Sequence, residues 1–594
     1  MLCAALARPA PCRDNVTEPK LLQHVTRALQ VLPCSLSAQQ PDPRVGLKTG
    51  LLDAGMAASN MELVTNVQRP EGFVNPTELG DIFYANSDLA FKGNTLFLGS
   101  FRGFQIFDIS NPAKPTLKKT VLCPGGQGDV SIHGNLLFMS VEMPNGRVDC
   151  GAQGAPQTAS PERFVGVRIF DISDSNNPKQ VASVQTCRGS HTHTLVTNPR
   201  DAENVYIYVS GAAPVRPAEE LAGCSGKRPA EDPNTSYFRI EVIQVPVNAP
   251  QNARIVNAPR IFADSAGNPM GLWKGGKLNE SAQETAMTDH CHDITVYPEL
   301  GIAAGACSGN GILLDISDPA NPKRLHEVND PNFAYWHSAT FNNDGTKVLF
   351  TDEWGGGMAP RCQASDKPTW GADAIFELHD KRHLQHAGYF KLPAPQTAAE
   401  NCVAHNGSIV PVPGRDIMVQ AWYQGGISVF DFTDPTKPVE IAYFDRGPQS
   451  ETLQLGGHWS AYWYNGNIYA SEITRGLDVL TLEPSEHLTQ NEIDAAKSAQ
   501  QAVFNPQHQT RVVWPATFAV ARAYLDQLKR GNGLPANEIT RINAELNTLE
   551  KVSAAVTLRN RLAALANSLG KAKASDTRRV GLLTQTLKDM AAKY

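Results

Sequence analysis

Five histidines recur at one phase of a repeated sequence. Aligned on a recurring apolar run, Ser87, Gly128, His191, His292, His337, His405 and His458 form a column, each four residues before Phe91, Ile132, Leu195, Val296, Phe341, Ile409 and Tyr462. The chain holds only 15 histidines, so five at one phase exceed what composition alone would scatter. His193 lies two residues past His191, one pleat further along the same strand face. Neutral imidazole nitrogen suits copper, iron, zinc and nickel, whereas hard cations prefer oxygen. His191, His193, His292, His337, His405 and His458 are therefore candidate ligands for one transition metal ion, copper, iron or zinc. A second reading stands beside it: a histidine at the start of a strand can hydrogen-bond the loops of its own unit, and duplication copies that role.

Polar residues accompany the column. Asp88, Asp129 and Asp293 follow column positions directly, with Ser338 and Asn406 in the same place elsewhere; there they can orient imidazoles or cap contacts between units. Glu142, Asp352, Glu353 and Glu472 fall where second strands end on the same face, placed to complete a metal shell, to act as acid and base, or to be solvated. Arg102 and Arg475 occupy matching positions and suit an anion or plain solvation. No Ser-His-Asp pattern with a nucleophile elbow and no dinucleotide fingerprint occurs. Gly355-Gly356-Gly357 is no phosphate loop, because no Lys-Ser follows and no helix opens.

An internal repeat must position these residues. Phe107-Asp108-Ile109-Ser110-Asn111-Pro112, Phe170-Asp171-Ile172-Ser173-Asp174, Leu314-Asp315-Ile316-Ser317-Asp318-Pro319 and Phe430-Asp431-Phe432-Thr433-Asp434-Pro435 are near copies. Each reads as a strand that breaks at Asn, Asp and Pro, which preset turn dihedrals. Two apolar runs precede each phrase and one follows, as Val439-Glu440-Ile441-Ala442-Tyr443-Phe444 follows the last. Four antiparallel strands per unit is the blade of a β-propeller, whose first strands line a central channel. Counting first strands predicts seven blades, with Met61-Glu62-Leu63-Val64-Thr65 supplying the strand that the seventh lacks. Closure of this kind removes exposed sheet edges.

The phrase resembles the LVIVD repeat of bacterial exported proteins, an aliphatic run, Asp, and a Ser-Asp-Pro-x-x-Pro-like turn. Asn111-Pro112-Ala113-Lys114-Pro115, Asp318-Pro319-Ala320-Asn321-Pro322 and Asp434-Pro435-Thr436-Lys437-Pro438 carry the resemblance, which spans about residues 60 to 482. It implies the propeller fold and export and says little about chemistry. By fold analogy, seven-bladed propellers with axial histidines include copper and iron redox enzymes.

The predicted architecture is mainly β: a signal-like leader at 1–38, a segment with the closing strand at 39–86, a seven-bladed β-propeller at 87–484 and an all-α domain at 485–594. Thr489-Gln490-Asn491-Glu492 has a capping-box pattern, and Trp514-Pro515 opens a run to Arg530 that Gly531-Asn532-Gly533 stops. Helix formers continue over 536–567 and 576–592. Residues 511–594 carry 14 Lys or Arg against 6 Asp or Glu, so that with a total of −6 the rest of the chain is strongly acidic. The tail either presents solvated helix faces, binds an acidic surface or docks on its own propeller. No basic-aromatic platform suggests nucleic acid, and no run of 18 apolar residues suggests a transmembrane segment.

Lys20 and Arg27 precede Ala28-Leu29-Gln30-Val31-Leu32-Pro33-Cys34-Ser35-Leu36-Ser37-Ala38, a short apolar run ending in small residues, which predicts export to the periplasm, cell surface or medium. Beyond it lie eight cysteines. Cys123, Cys187, Cys291 and Cys402 each precede a first strand, while Cys150, Cys224, Cys307 and Cys362 lie between second and third strands, loops that open on one face. The predicted disulfides are 123–150, 187–224, 291–307 and 362–402. Inserts at 142–163, 211–237, 353–373 and 247–290 crowd that face, and loops of such length tend to carry function. Two functions follow. The favoured one is an exported propeller that acts as a binding or interaction module, its looped face taking a protein, glycan or small-molecule ligand. The alternative is a His-ligated copper or iron oxidoreductase acting on a small substrate at the channel mouth.

Overall fold

Turn chemistry explains why the repeated phrase repeats. Asp108, Asp171, Asp315 and Asp431 each accept, through Oδ1, the backbone amide two residues on, at 2.9, 2.8, 2.9 and 2.8 Å. A second turn of the same kind follows at Asn111, Asp174, Asp318 and Asp434. Short side-chain acceptors compete with ladder pairing, so each third strand stops there and the chain reverses into the fourth.

The computed structural model describes residues 42–156 and 159–594, and the leader expected at 1–38 lies outside the described residues. Residues 42–594 form one compact unit. It is mainly β, built from four-stranded antiparallel sheets. Their innermost strands are Asn86–Lys92, Val130–His133, Thr194–Asn198, Asp293–Tyr297, Trp336–Phe341, Asn406–Val410 and His458–Tyr464. Each inner strand touches the next, and the last touches the first, so the sheets close into a propeller around an axis. The sixth and last inner strands also pair in parallel through Asn406 with Ser460 and Gly407 with Ala461, which joins two sheets. Met61–Val67 pairs with Gly476–Leu482 as the outer strand of the last sheet. In each four-stranded unit the pairing of third and fourth strands carries a register shift, and bulges of this kind steepen local twist.

All four disulfides form as the loop placement predicts, Cys123 with Cys150, Cys187 with Cys224, Cys291 with Cys307 and Cys362 with Cys402. They staple loops on the face where the inner strands begin.

The other face is crossed by residues 500–514. Val503–Phe504 pairs with Phe91 and Lys92. The Asn505 side chain accepts from the Ile132 amide at 2.7 Å and donates to its carbonyl at 2.9 Å, and Gln509 does the same to Phe341 at 2.6 and 2.9 Å. His508 Nε2 lies 2.9 Å from Thr197 Oγ1, and the Gln507 carbonyl accepts from the Val296 amide. Gln501 exchanges hydrogen bonds with Asn465, and Trp514 Nε1 donates to the Pro411 carbonyl. All these contacts fall at the C-terminal ends of the inner strands or just beyond, so one extended segment ties the whole ring across the mouth opposite the disulfides. Two side-chain amides there act as surrogate strand backbone.

Among the described residues the α-helices are α1 (Gln490–Ser498), α2 (Phe518–Arg530), α3 (Ala536–Leu549), α4 (Ala555–Leu569) and α5 (Thr577–Ala591). Thr489 and Glu492 form the capping box of α1 as predicted. The run expected over 536–567 divides into α3 and α4, because the chain turns at Lys551 and Val552. Leu528, Ile542, Leu546, Leu562, Leu583 and Leu587 meet in one core. These helices dock on the chain's own propeller. Arg415 binds Asp431 at 2.6 Å and Glu492 at 3.0 Å, Arg530 binds the same Glu492 at 2.6 Å, and Gln527 donates to the Pro413 carbonyl.

Candidate metal centre

Four of the column histidines meet on the axis. His191, His292, His337 and His405 begin consecutive inner strands or lie just before them, so closing the ring brings the rings edge to edge. Successive centroids are 4.2, 3.9 and 4.3 Å apart. His292, His337 and His405 are buried, and His191 is nearly so. Their Nε2 atoms face inward: that of His191 is 2.6 Å from that of His292, while Glu353 places Oε2 3.8 Å from His337 Nε2 and Oε1 3.7 Å from His405 Nε2. The donor atoms of His292, His337 and Glu353 all lie within 4.8 Å of one another, a group able to hold a metal ion.

Each Nδ1 has an outer partner. His191 Nδ1 donates to Glu142 Oε2 at 2.6 Å and His292 Nδ1 to Asp293 Oδ1 at 3.2 Å. His337 Nδ1 lies 3.3 Å from Thr351 Oγ1, and His405 Nδ1 donates to the Trp459 carbonyl. A partner on Nδ1 fixes the ring and leaves Nε2 as the lone-pair nitrogen, the usual arrangement of metal-bound histidine.

Burial sets the charges. It drives the pKa values of His292 and His337 well below the ordinary value, with the charge on neighbouring histidines adding to the shift, and that of His405 down to about 3. His191 goes the other way: burial opposes its charge, but Glu142 outweighs it. Glu353 is pushed up to about 7 by burial, against the Tyr423 hydroxyl that donates to it at 2.6 Å. Burial thus favours neutral imidazole at His292, His337 and His405, and Glu142 favours the charged form at His191.

The remaining expected ligands are placed elsewhere. His193 lies deeper, held by Ser131 at 2.7 Å and Ser140 at 2.8 Å, and burial lowers its pKa to about 3. His458 turns away to Asp478 at 2.9 Å, a carboxylate also bound by Arg446 and Asn66. Among the accompanying residues, Asp352 caps the Ala334 and Tyr335 amides, Glu472 the amides of Gly457 and Thr474. Arg475 donates to the carbonyls of Gly50, Leu51 and Gly447, and Arg102 stacks on Tyr84. Asp88, Asp129 and Asp293 gather beneath the histidines, where burial raises their pKa values, to about 6 for Asp88 and Asp293, and repulsion from neighbouring carboxylates adds to the shift at Asp88 and Asp129.

Sequence reasoning missed the aromatic wall and one amide. Tyr423 and Trp459 pack on His405 at 4.4 and 5.2 Å, Tyr335 stands edge-on to His292 at 5.8 Å, and the Gln127 amide lies 2.7 Å from His191 Nε2. None occupies a repeated position except by neighbouring one, so no periodic signal marks them.

The fold and the cluster describe a β-propeller that gathers histidines at one mouth. Residues 85–123 match the LVIVD repeat family. Solved structures similar in fold include a periplasmic gluconolactonase of Pseudomonas aeruginosa, 11% identical over 67% of this chain and 97% of that one with a TM-score of 0.40. Hydrazine synthase of Kuenenia stuttgartiensis is 12% identical over 66% and 93%, with a TM-score of 0.39. The N-terminal domain of Nup159 is 10% identical over 74% and 99%, also at 0.39. Likenesses at this level say nothing about activity. No curated protein matches the chain.

Proposed function

We propose that this is an exported, seven-bladed propeller metalloenzyme of the oxidoreductase class, with a transition metal held by His191, His292, His337 and His405. One observation carries the reading: four inward Nε2 atoms, each on a ring whose Nδ1 is engaged from outside. An all-imidazole set with one carboxylate in reach suits iron, copper or zinc. The metal, when bound, would supply Lewis acidity or a one-electron couple. Glu142 would hold His191 in its orientation, and Glu353, poised near 7 with Tyr423 fixing one oxygen, would exchange a proton with a bound molecule. Tyr423 and Trp459 cover His405 and keep bulk water from it. Four disulfides support an oxidising compartment. Among the described residues no helix is long and apolar enough to cross a membrane.

The test is metal content by elemental mass spectrometry on untagged protein purified from an oxidising compartment. Near one iron, copper or zinc per chain, lost in the His292→Ala, His405→Ala double variant, is the expected result. Folded protein that stays metal-free after incubation with each ion would refute it and return the looped face to the role of a binding surface.

A further inference from the structure

Beside the histidine cluster lies an open cleft of about 550 Å³ between the hairpin of Gly276–Lys277 with Glu284–Thr285 and the 353–373 insert. Such a volume matches small-molecule sites. Trp354 and Trp370 form a corner of its wall, with ring centroids 5.2 Å apart and planes at 85°. Tyr335 lines the same cleft and meets His292 edge-on, so the cleft abuts the cluster. Gly355 and Gly356, at φ +91° and +62°, leave the wall beside Trp354 bare of side chains.

We infer that this cleft seats a neutral or weakly acidic aromatic ring, a phenol in its simplest form, as the substrate-binding part of the proposed centre; the inference rests on that reading for its catalytic meaning and on the cleft alone for its binding. Two indoles set at right angles offer one face and one edge, which suits offset or perpendicular ring packing. Charge excludes a cationic ring. Arg361 sits 4.1 Å over the Trp354 ring, Lys367 4.3 Å over that of Trp370, and Lys391 6.0 Å from Trp354, whereas Lys277 and Glu284 in the lining offset each other. A sugar needs a fan of hydrogen-bonding side chains, and the lining has few to give: the Gln283 amide nitrogen is already committed to Asn332 and Asp352. Among the described residues the Tyr335 hydroxyl has no hydrogen-bond partner, and it is the polar group left for a single substituent such as a phenolic hydroxyl.

The test is calorimetric titration of phenol, cyclohexanol and glucose into the full chain and into Trp370→Leu, Trp370→Phe and His292→Ala variants. Phenol is expected to bind, about tenfold more weakly in Trp370→Leu, where a ring contact worth roughly 1.4 kcal/mol is lost, and near wild-type in Trp370→Phe. Binding in His292→Ala should persist. Absent phenol binding, equal binding by Trp370→Leu, or glucose or cyclohexanol binding as tightly as phenol would each overturn the inference. Phenol binding by a protein that takes up no metal would sink the metal-centre reading and leave the cleft standing.

Discussion

Replacing Asn505 with alanine tests whether a side-chain amide closes the ring. Asn505 is 5% exposed and holds both backbone groups of Ile132, at 2.7 and 2.9 Å. The alanine variant leaves a buried N–H and a buried C=O without partners, and each such orphan costs about 1–3 kcal/mol. Even the lower end, about 2 kcal/mol for the pair, corresponds to a roughly 30-fold rise in local opening, since ~1.4 kcal/mol is tenfold. Hydrogen exchange read by mass spectrometry on peptides containing Ile132 gives that ratio directly, with the outer strand Lys179–Gln185 as an internal standard. Asn505→Asp keeps the acceptor for the Ile132 amide but buries a carboxylate oxygen against the Ile132 carbonyl, so it should open the site at least as much as alanine does. Gln509→Ala should reproduce the result at Phe341. Ile132 exchange that is the same in Asn505→Ala and wild type would refute the argument, because the segment 500–514 would then lie on the ring without holding it.

Three further outcomes follow from the same geometry. Burial works against the charge of Asp478, yet His458, Arg446 and Asn66 hold its pKa at about 2, below the usual 3.8. A depressed carboxyl stabilises the fold above its unfolded value and loses that contribution as pH falls toward the folded one, so about 2 kcal/mol should vanish between roughly pH 4 and pH 2; Asp478→Asn should flatten the acid limb of a urea-unfolding series, and an unaltered limb would count against the pairing. Glu142→Gln weakens the hold on His191 and should lower metal affinity about 10- to 100-fold in chelator competition, whereas unchanged affinity would mean that the carboxylate does not orient the ring. The double variant Cys291→Ser, Cys307→Ser opens a loop with a sequence separation of 16 and should cost about 3 kcal/mol in urea unfolding without reductant; a shift below 1 kcal/mol would assign the stability of that sheet to packing.

Much of this is legible in the sequence because it is local. An Asp followed two residues later by Ser or Thr is an instruction for a turn, and four such phrases are enough to read a repeat. The disulfides were legible for the same reason, since each joins two loops of one or adjoining sheets. The closing strand Met61–Val67 was legible by default: the last sheet had three strands and needed a fourth. What escaped is set by closure of the ring. A column of histidines says which residues start at the same height, but which of them turn inward depends on competing partners, and Asp478 draws His458 away. Tyr335 and Tyr423 reach the cluster from loops whose paths no periodicity constrains, and Trp459 from the second position of an inner strand. The tail's docking hangs on Arg415, one charge in a tight turn, which becomes meaningful only once Glu492 stands beside Asp431.

The closing strand has a bearing on how the protein is made. Asn66 hydrogen-bonds to Asp478, 412 positions later in the chain. At about 5–20 residues per second, synthesis leaves that strand without its sheet for roughly 20–80 s. Its neighbours can fold one after another as they emerge, but the ring cannot lock, nor can the four histidines be held at their final spacing, until nearly the whole propeller exists. Biogenesis therefore ends with a long-range clasp, and the histidine cluster proposed to hold a metal is complete only after that clasp has shut.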